Sequence, residues 1–264
     1  MNRRVAIERD GQVAFVRLDR PEKHNALDRE MFLALRAAQD QIRGETGVRA
    51  VVVHGAGPSF CSGLDVAAVA AGELDVGELI DRPNDEVANL AQTVAYGWRT
   101  LPMPVVAALH GACFGGGLQI ALGCDVRVVA TDARLAVMEI KLGLLPDMGI
   151  GVALPRLVRA DVAKELCFSG RILAGAEAVE LGLATRVAEP PLPAAIEVAE
   201  GIAAQSPHAI RAIKRLLDDG WGEPPERVLR LETDLARTLL GSPNQIAAMA
   251  AASGEAARFE DPVA

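Results

Sequence analysis

The chain has 264 residues, with 27 Lys and Arg against 35 Asp and Glu and a formal charge of −8. This acidic balance speaks against a nucleic-acid or anionic-membrane partner, both of which need a basic face, and no stretch approaches the roughly 20 apolar residues of a membrane span. Half the residues are hydrophobic but only 3% are aromatic, so the length accommodates one large domain, or a domain plus a small appendage, packed from small aliphatic side chains. The first ten residues are charged throughout and hold no apolar signal-peptide core. Cys61, Cys113, Cys124 and Cys167 are scattered with no C-x-x-C pair, the pattern of reduced thiols in a cytoplasmic protein. His24, His54, His110 and His208 are equally dispersed, and no metal site is expected.

In chain order, residues 5–9 and 13–18 read as strands around the hairpin signal Asp10-Gly11. Asp28 reads as a helix N-cap, with Leu27 and Phe32 as a hydrophobic staple and Met31, Leu35, Ala38 and Ile42 on one helical face. Residues 50–53 form a fully apolar run, the pattern of a strand buried on both sides. A glycine-rich loop follows to Asp65, and residues 72–85 show no apolar period and read as a mobile surface connection. Val87, Leu90, Val94 and Trp98 mark a second amphipathic helix. Residues 105–109 are another buried strand, running straight into Gly111 to Gly117 and a helix to Leu122. Strands are expected at 126–130 and 135–138. From about Leu192 helical spacing takes over (Ile196, Ala199, Ile202, Ala203) and continues to Phe259. The plan is α/β with parallel strands over residues 1–191, followed by a helical region, 192–264, suited to oligomerisation.

Several chemistries drop out. There is no P-loop signature, and the triple glycine at 115–117 has Ile120 where a dinucleotide turn needs its last glycine. Ser62 has Phe60 where a nucleophile elbow requires glycine. What remains is a pair of glycine-rich turns after successive buried strands, Phe60-Cys61-Ser62-Gly63-Leu64-Asp65 and Gly115-Gly116-Gly117. Glycines let two backbones approach one ligand atom, and the second turn opens a helix whose N-terminal end favours developing negative charge. The Leu64 and Gly116 amides could together form an oxyanion hole. Each turn alone reads more readily as an ordinary strand-to-helix connection; it is their occurrence after successive buried strands that reverses the reading.

Leu18-Asp19-Arg20-Pro21 with Asn25-Ala26-Leu27, the two turns, Cys124-Asp125, Met138-Glu139 through Gly143-Leu144, and Ser169-Gly170-Arg171 with Gly182-Leu183 closely resemble the signatures of the enoyl-CoA hydratase/isomerase (crotonase) family. The resemblance spans nearly the whole chain. It implies a ββα-spiral core with a C-terminal helical region, assembled as a homotrimer or a dimer of trimers. It also implies an acyl-CoA substrate whose thioester carbonyl sits between the Leu64 and Gly116 amides, with no cofactor beyond the coenzyme A carried in by that substrate. Lys23, Ala26, Ser62 and Asp65 would border the nucleotide, and Arg258 would meet a phosphate from a neighbouring subunit; Asp65 itself resembles a mostly structural position.

Family hydratases use two glutamates around a water. One matches Glu139; the other falls at position 119, which here is Gln119, a side chain unable to exchange a proton at neutral pH. Dienoyl-CoA isomerases in the family carry an aspartate eight residues after the Glu139 equivalent, and Asp147 stands there. Glu139 and Asp147 shuttling protons through an enolate is therefore the leading expectation. Hydration, another acyl-CoA reaction of the same family, and a non-catalytic binding protein are the alternatives. Glu139 could instead be an ion-pair partner of Lys141 or an arginine, and Asp147 a helix N-cap.

Overall fold

In the computed structural model, residues 4–83, 85–254 and 258–262 are described. The chain opens with the hairpin β1 (Val5–Asp10) and β2 (Val13–Leu18), paired antiparallel. Gly11 takes φ +53° in the turn, a conformation that costs glycine little. Helix α1 (Arg29–Gly44) follows, and the Asp28 carboxylate accepts from the Met31 amide as the expected cap. Leu27 and Phe32 are both buried at its start. Strand β3 (Ala50–Gly55) leads into α2 (Val66–Ala70), α3 (Val76–Ile80) and α4 (Leu90–Arg99). Then come β4 (Val105–Leu109), β5 (Ala112–Phe114), α5 (Gly116–Gly123), β6 (Val126–Val129), β7 (Arg134–Ala136) and a 3₁₀ turn (Glu139–Leu142). Short elements α6 (Ile150–Ala153), α7 (Ala160–Ser169), β8 (Leu173–Ala174), α8 (Gly175–Glu180) and β9 (Arg186–Val187) complete the middle of the chain. Four helices end it: α9 (Pro191–Ala203), α10 (Pro207–Asp219), α11 (Pro225–Leu239) and α12 (Pro243–Ala252).

A six-stranded sheet runs β1-β2-β3-β4-β6-β9, parallel from β2 onward, and a three-stranded sheet runs β5-β7-β8. The apolar runs of β3 and β4 follow from burial on both faces. Val51 and Val53 point into one core cluster with α1 and α4 residues, while Ala50 and Val52 meet a stripe of Ala195, Ala199 and Ala203 on α9. Spacing by four places those alanines on one side of α9. Lys214 ties α10 down by pairing with Asp125 (2.7 Å) and donating to the Met103 carbonyl (3.1 Å). No helix among the described residues is long and apolar enough to cross a membrane.

Four expectations need correction. Residues 72–85 are not structureless: α3 lies within them, capped by Asp75 and anchored by buried Leu79. Helix α4 starts at Leu90 because Asn89 and Gln92 form a capping box, which leaves Val87 outside it and 86% exposed. The chain does not run directly from β4 into α5, since β5 intervenes and pairs with β7. That strand β7 also ends at Ala136, so Glu139 opens a 3₁₀ turn rather than directly following a strand. Residues 1–3, within the charged start, and 255–257, within the expected helical run, lie outside the described residues.

Candidate active site

The loop after β2 is built around Asn25, which is fully buried at φ +54°. Its side-chain oxygen accepts from the Arg20 amide (2.8 Å), and its NH₂ donates to the carbonyls of Ala56 (2.9 Å), Ser59 (2.8 Å) and Phe60 (3.1 Å). One side chain thus holds the chain after β2 against the chain after β3. Removing it would strand all four backbone groups, so Asn25→Ala is expected to lower stability by about 3–4 kcal/mol, measured as a fall in denaturant midpoint at constant m.

The two glycine turns are held side by side by backbone pairing. Cys61 donates to Ala112 (3.0 Å) and accepts from Phe114 (3.0 Å), making a parallel bridge with Cys113. On its other side the first turn pairs with Leu27, which donates to Gly63 (2.8 Å) and accepts from Asp65 (3.0 Å). In such a parallel pairing the intervening residue turns its own amide away, and the Leu64 amide donates to no described residue. The Gly116 amide is likewise free as the first of α5, following Gly115 at φ +52°. A Cβ on Gly63 would come within 2.7 Å of the Phe114 carbonyl oxygen and 3.5 Å of the Gly116 nitrogen, so the turns touch backbone to backbone. Two unspent N–H groups at a helix N-terminus can hold an oxygen that becomes negative.

These turns floor a cavity of about 430 Å³ lined by Ser62, Leu64, Gly116, Glu139 and Asp147, among others. Gln119 stands one helical turn beyond Gly116 and is 2% exposed. Its Nε2 donates to Glu139 Oε1 (2.7 Å), and its Oε1 accepts from the Met148 amide (2.9 Å). Both ends of the amide are spent, which sets its orientation. The other Glu139 oxygen is buried without a partner. Burial raises the Glu139 pKa above the ordinary carboxyl value, opposed by its own and the Met138 backbone amides and by Gln119, while the Asp147 charge adds to the rise. No described arginine or lysine forms an ion pair with Glu139, so the ion-pair reading of that residue lapses. Asp147 is no helix cap either: α6 begins at Ile150 behind Gly149, with no side-chain capping bond. Among the described residues its carboxylate takes no hydrogen bond and no ion pair, and it is exposed at the cavity.

The remaining expected residues are dispersed. Ser62 donates from its hydroxyl to the Lys23 carbonyl (3.4 Å), and the Ala26 carbonyl accepts from Arg20 (3.1 Å), so Lys23 and Ala26 stand beside the first turn without lining the cavity. The Asp65 carboxylate is taken up by Arg20 (2.7 Å) and by capping the Ala68 amide (3.1 Å), which makes it a brace of the loop. Arg258 lies with a segment that docks on Arg49 through Phe259 and Asp261. Arg49 precedes β3, whereas the cavity lies beyond the strand's C-terminal end, so Arg258 is remote from its own chain's cavity. Reasoning from sequence missed the bracing role of Asn25 and the contact of Gln119 with Met148; the first shows only in the structure, as a buried non-glycine residue in a left-handed conformation.

Comparison with known proteins bears on family and fold. The sequence model of the enoyl-CoA hydratase/isomerase family matches residues 8–249. A short-chain-enoyl-CoA hydratase of Clostridium acetobutylicum is 30% identical over 94% of this chain and 93% of its own length. The mitochondrial Delta(3,5)-Delta(2,4)-dienoyl-CoA isomerase of Rattus norvegicus is 34% identical over 76% of this chain and 64% of its own. The crystal structure of an enoyl-CoA hydratase from Bacillus anthracis superposes with a TM-score of 0.88 at 28% identity, covering 96% of this chain and 97% of that one, and bears out the expected fold. The chain is a member of the enoyl-CoA hydratase/isomerase family.

Proposed function

We propose that this enzyme moves a double bond along the acyl chain of an enoyl-CoA thioester. The observation that carries the reading is Gln119: it commits both ends of its amide to Glu139 and Met148, so the group beside Glu139, where a water-adding pair needs a second carboxylate, is an amide that cannot take up a proton. The thioester carbonyl sits between the Leu64 and Gly116 amides, which stabilise the enolate oxygen. Glu139, which lines the cavity, removes a proton next to the carbonyl or conjugated with it. Asp147, unpaired and exposed on the same cavity, delivers a proton drawn from solvent to the other end of the shifted system, and the proton taken by Glu139 passes to solvent before the next turnover. The Rattus norvegicus relative, named as a dienoyl-CoA isomerase, supports this reading, and the Clostridium relative, named as a hydratase, supports the competing one.

The two separate in one absorbance trace with a 3-enoyl-CoA, whose double bond is not yet conjugated to the thioester. A rise that persists is the expected result; a rise that decays means the conjugated product is hydrated and sinks the reading of Gln119. The variant Asp147→Asn should lose about 10²-fold or more of isomerisation while Glu139 still exchanges the substrate's acidic proton with D₂O. Isomerisation at the wild-type rate in that variant would remove Asp147 from the mechanism.

A further inference from the structure

The charged side chains lining the cavity all come from one wall. Glu139, Lys141 and Asp147 belong to the segment between β7 and α6, and Ser62 sits at the floor beside the free amides. The opposite wall is Phe32 from α1, Val66 from α2, Val76, Leu79 and Ile80 from α3, and Ala91 from α4, without a polar side chain among them. Val66 and Ile80 are each 50% exposed, and Leu145 across from them is 73% exposed. Apolar side chains left in water around one concavity mark a binding surface.

We propose that this wall selects a medium-length, unfunctionalised aliphatic acyl chain, an inference that rests on the acyl-CoA reading above. Size sets the length. At about 30 Å³ for each water-sized group, ~430 Å³ holds roughly fourteen such groups. With the thioester and the adjoining thiol arm inside, that leaves room for about eight to ten acyl carbons. Chemistry sets the class. A hydroxyl or carboxylate at the far end of the chain would lie against the α1–α4 wall, lose its water and find no partner there. A site built this way discriminates against polar ends far more sharply than against one methylene more or less.

Binding of saturated acyl-CoAs, followed by isothermal titration calorimetry, tests this without any turnover. A failure here therefore leaves the isomerisation reading untouched, and a failure of that reading leaves this one standing. From butyryl- through hexanoyl- to octanoyl-CoA, Kd should tighten by about fourfold per methylene. Adipoyl-CoA should bind at least about tenfold more weakly than hexanoyl-CoA. Val76→Phe, at a half-buried position that accepts extra bulk, and Ala91→Phe, at a buried one, should each weaken octanoyl-CoA by about tenfold and spare butyryl-CoA. A Kd independent of chain length, adipoyl-CoA binding as well as hexanoyl-CoA, or equal losses for both chain lengths in Val76→Phe would overturn the assignment.

Discussion

Glu139→Gln is expected to lose about 10²–10⁴ of kcat while holding acyl-CoA as well as the parent and folding more stably at neutral pH relative to it than in acid. The amide is nearly isosteric, and its oxygen can still accept from Gln119 Nε2, so the cavity keeps its shape. What disappears is the proton acceptor. The stability change follows from the raised pKa of this carboxyl, whose first cause is burial. A folded state that holds a proton more tightly than the unfolded chain is favoured below the ordinary carboxyl range, and that advantage is lost as pH rises through the raised pKa. As pH rises the parent therefore takes on the cost of a buried charge and the variant does not. Thermal unfolding of both proteins from acid to neutral pH should show the gap widening upward. The parent's kcat/KM should rise over the same interval as Glu139 deprotonates, and the variant's residual rate should lack that limb. A variant with near-parental turnover would remove Glu139 from the chemistry, and a gap that narrows upward would contradict its raised pKa.

Gly63→Ala should cost about 10²–10³ in kcat through a residue that offers no chemistry of its own. Gly63 sits at φ +87°, and a Cβ there would stand 2.7 Å from the Phe114 carbonyl oxygen. The left-handed conformation alone costs an L-residue about 1–2 kcal/mol. The clash is the larger matter, because its partner is backbone in the neighbouring turn and cannot rotate aside. Relief requires the two turns to separate, which carries the Leu64 amide away from the Gly116 amide. Losing one such donor accounts for the expected rate change. Gly72→Ala is the matched control: its φ is +72° with nothing within 4 Å of an added Cβ. It should show the strain in thermal unfolding and leave kcat unchanged. Equal activities for the two variants would mean that the turns do not form the proposed oxyanion hole.

Much of the fold was legible in the sequence for identifiable reasons. Strands β3 and β4 announce themselves as unbroken apolar runs because both their faces are covered, by α1 and α4 on one side and α9 on the other. Helix α1 announces its start through Asp28, whose carboxylate satisfies an amide left open by the helix. The glycine turns were visible because Gly63 and Gly115 occupy conformations that other residues rarely take. Of the second sheet only β7 was legible, as the strand expected at 135–138; β5 and β8 have three and two residues, too few for a period to register, and are strands only because they pair with β7. Helix α3 was overlooked for a similar reason, since five residues held by one cap and one buried leucine make a weak pattern.

The sequence by itself determined the family, the two glycine turns and the presence of Glu139, Asp147 and Gln119 at telling positions. All of these depend on local backbone geometry or on residue identity, which a linear string carries. Tertiary structure alone decided what those residues do to one another. Gln119 meets Glu139 across 20 positions and Met148 across 29, and Asp147 is freed from capping because α6 starts behind Gly149. The apolar wall opposite them is assembled from four separate helices. Such contacts depend on how α5 packs against the segment leading to α6, a sum of many small burial terms spread along the chain, and no short stretch of sequence contains that sum.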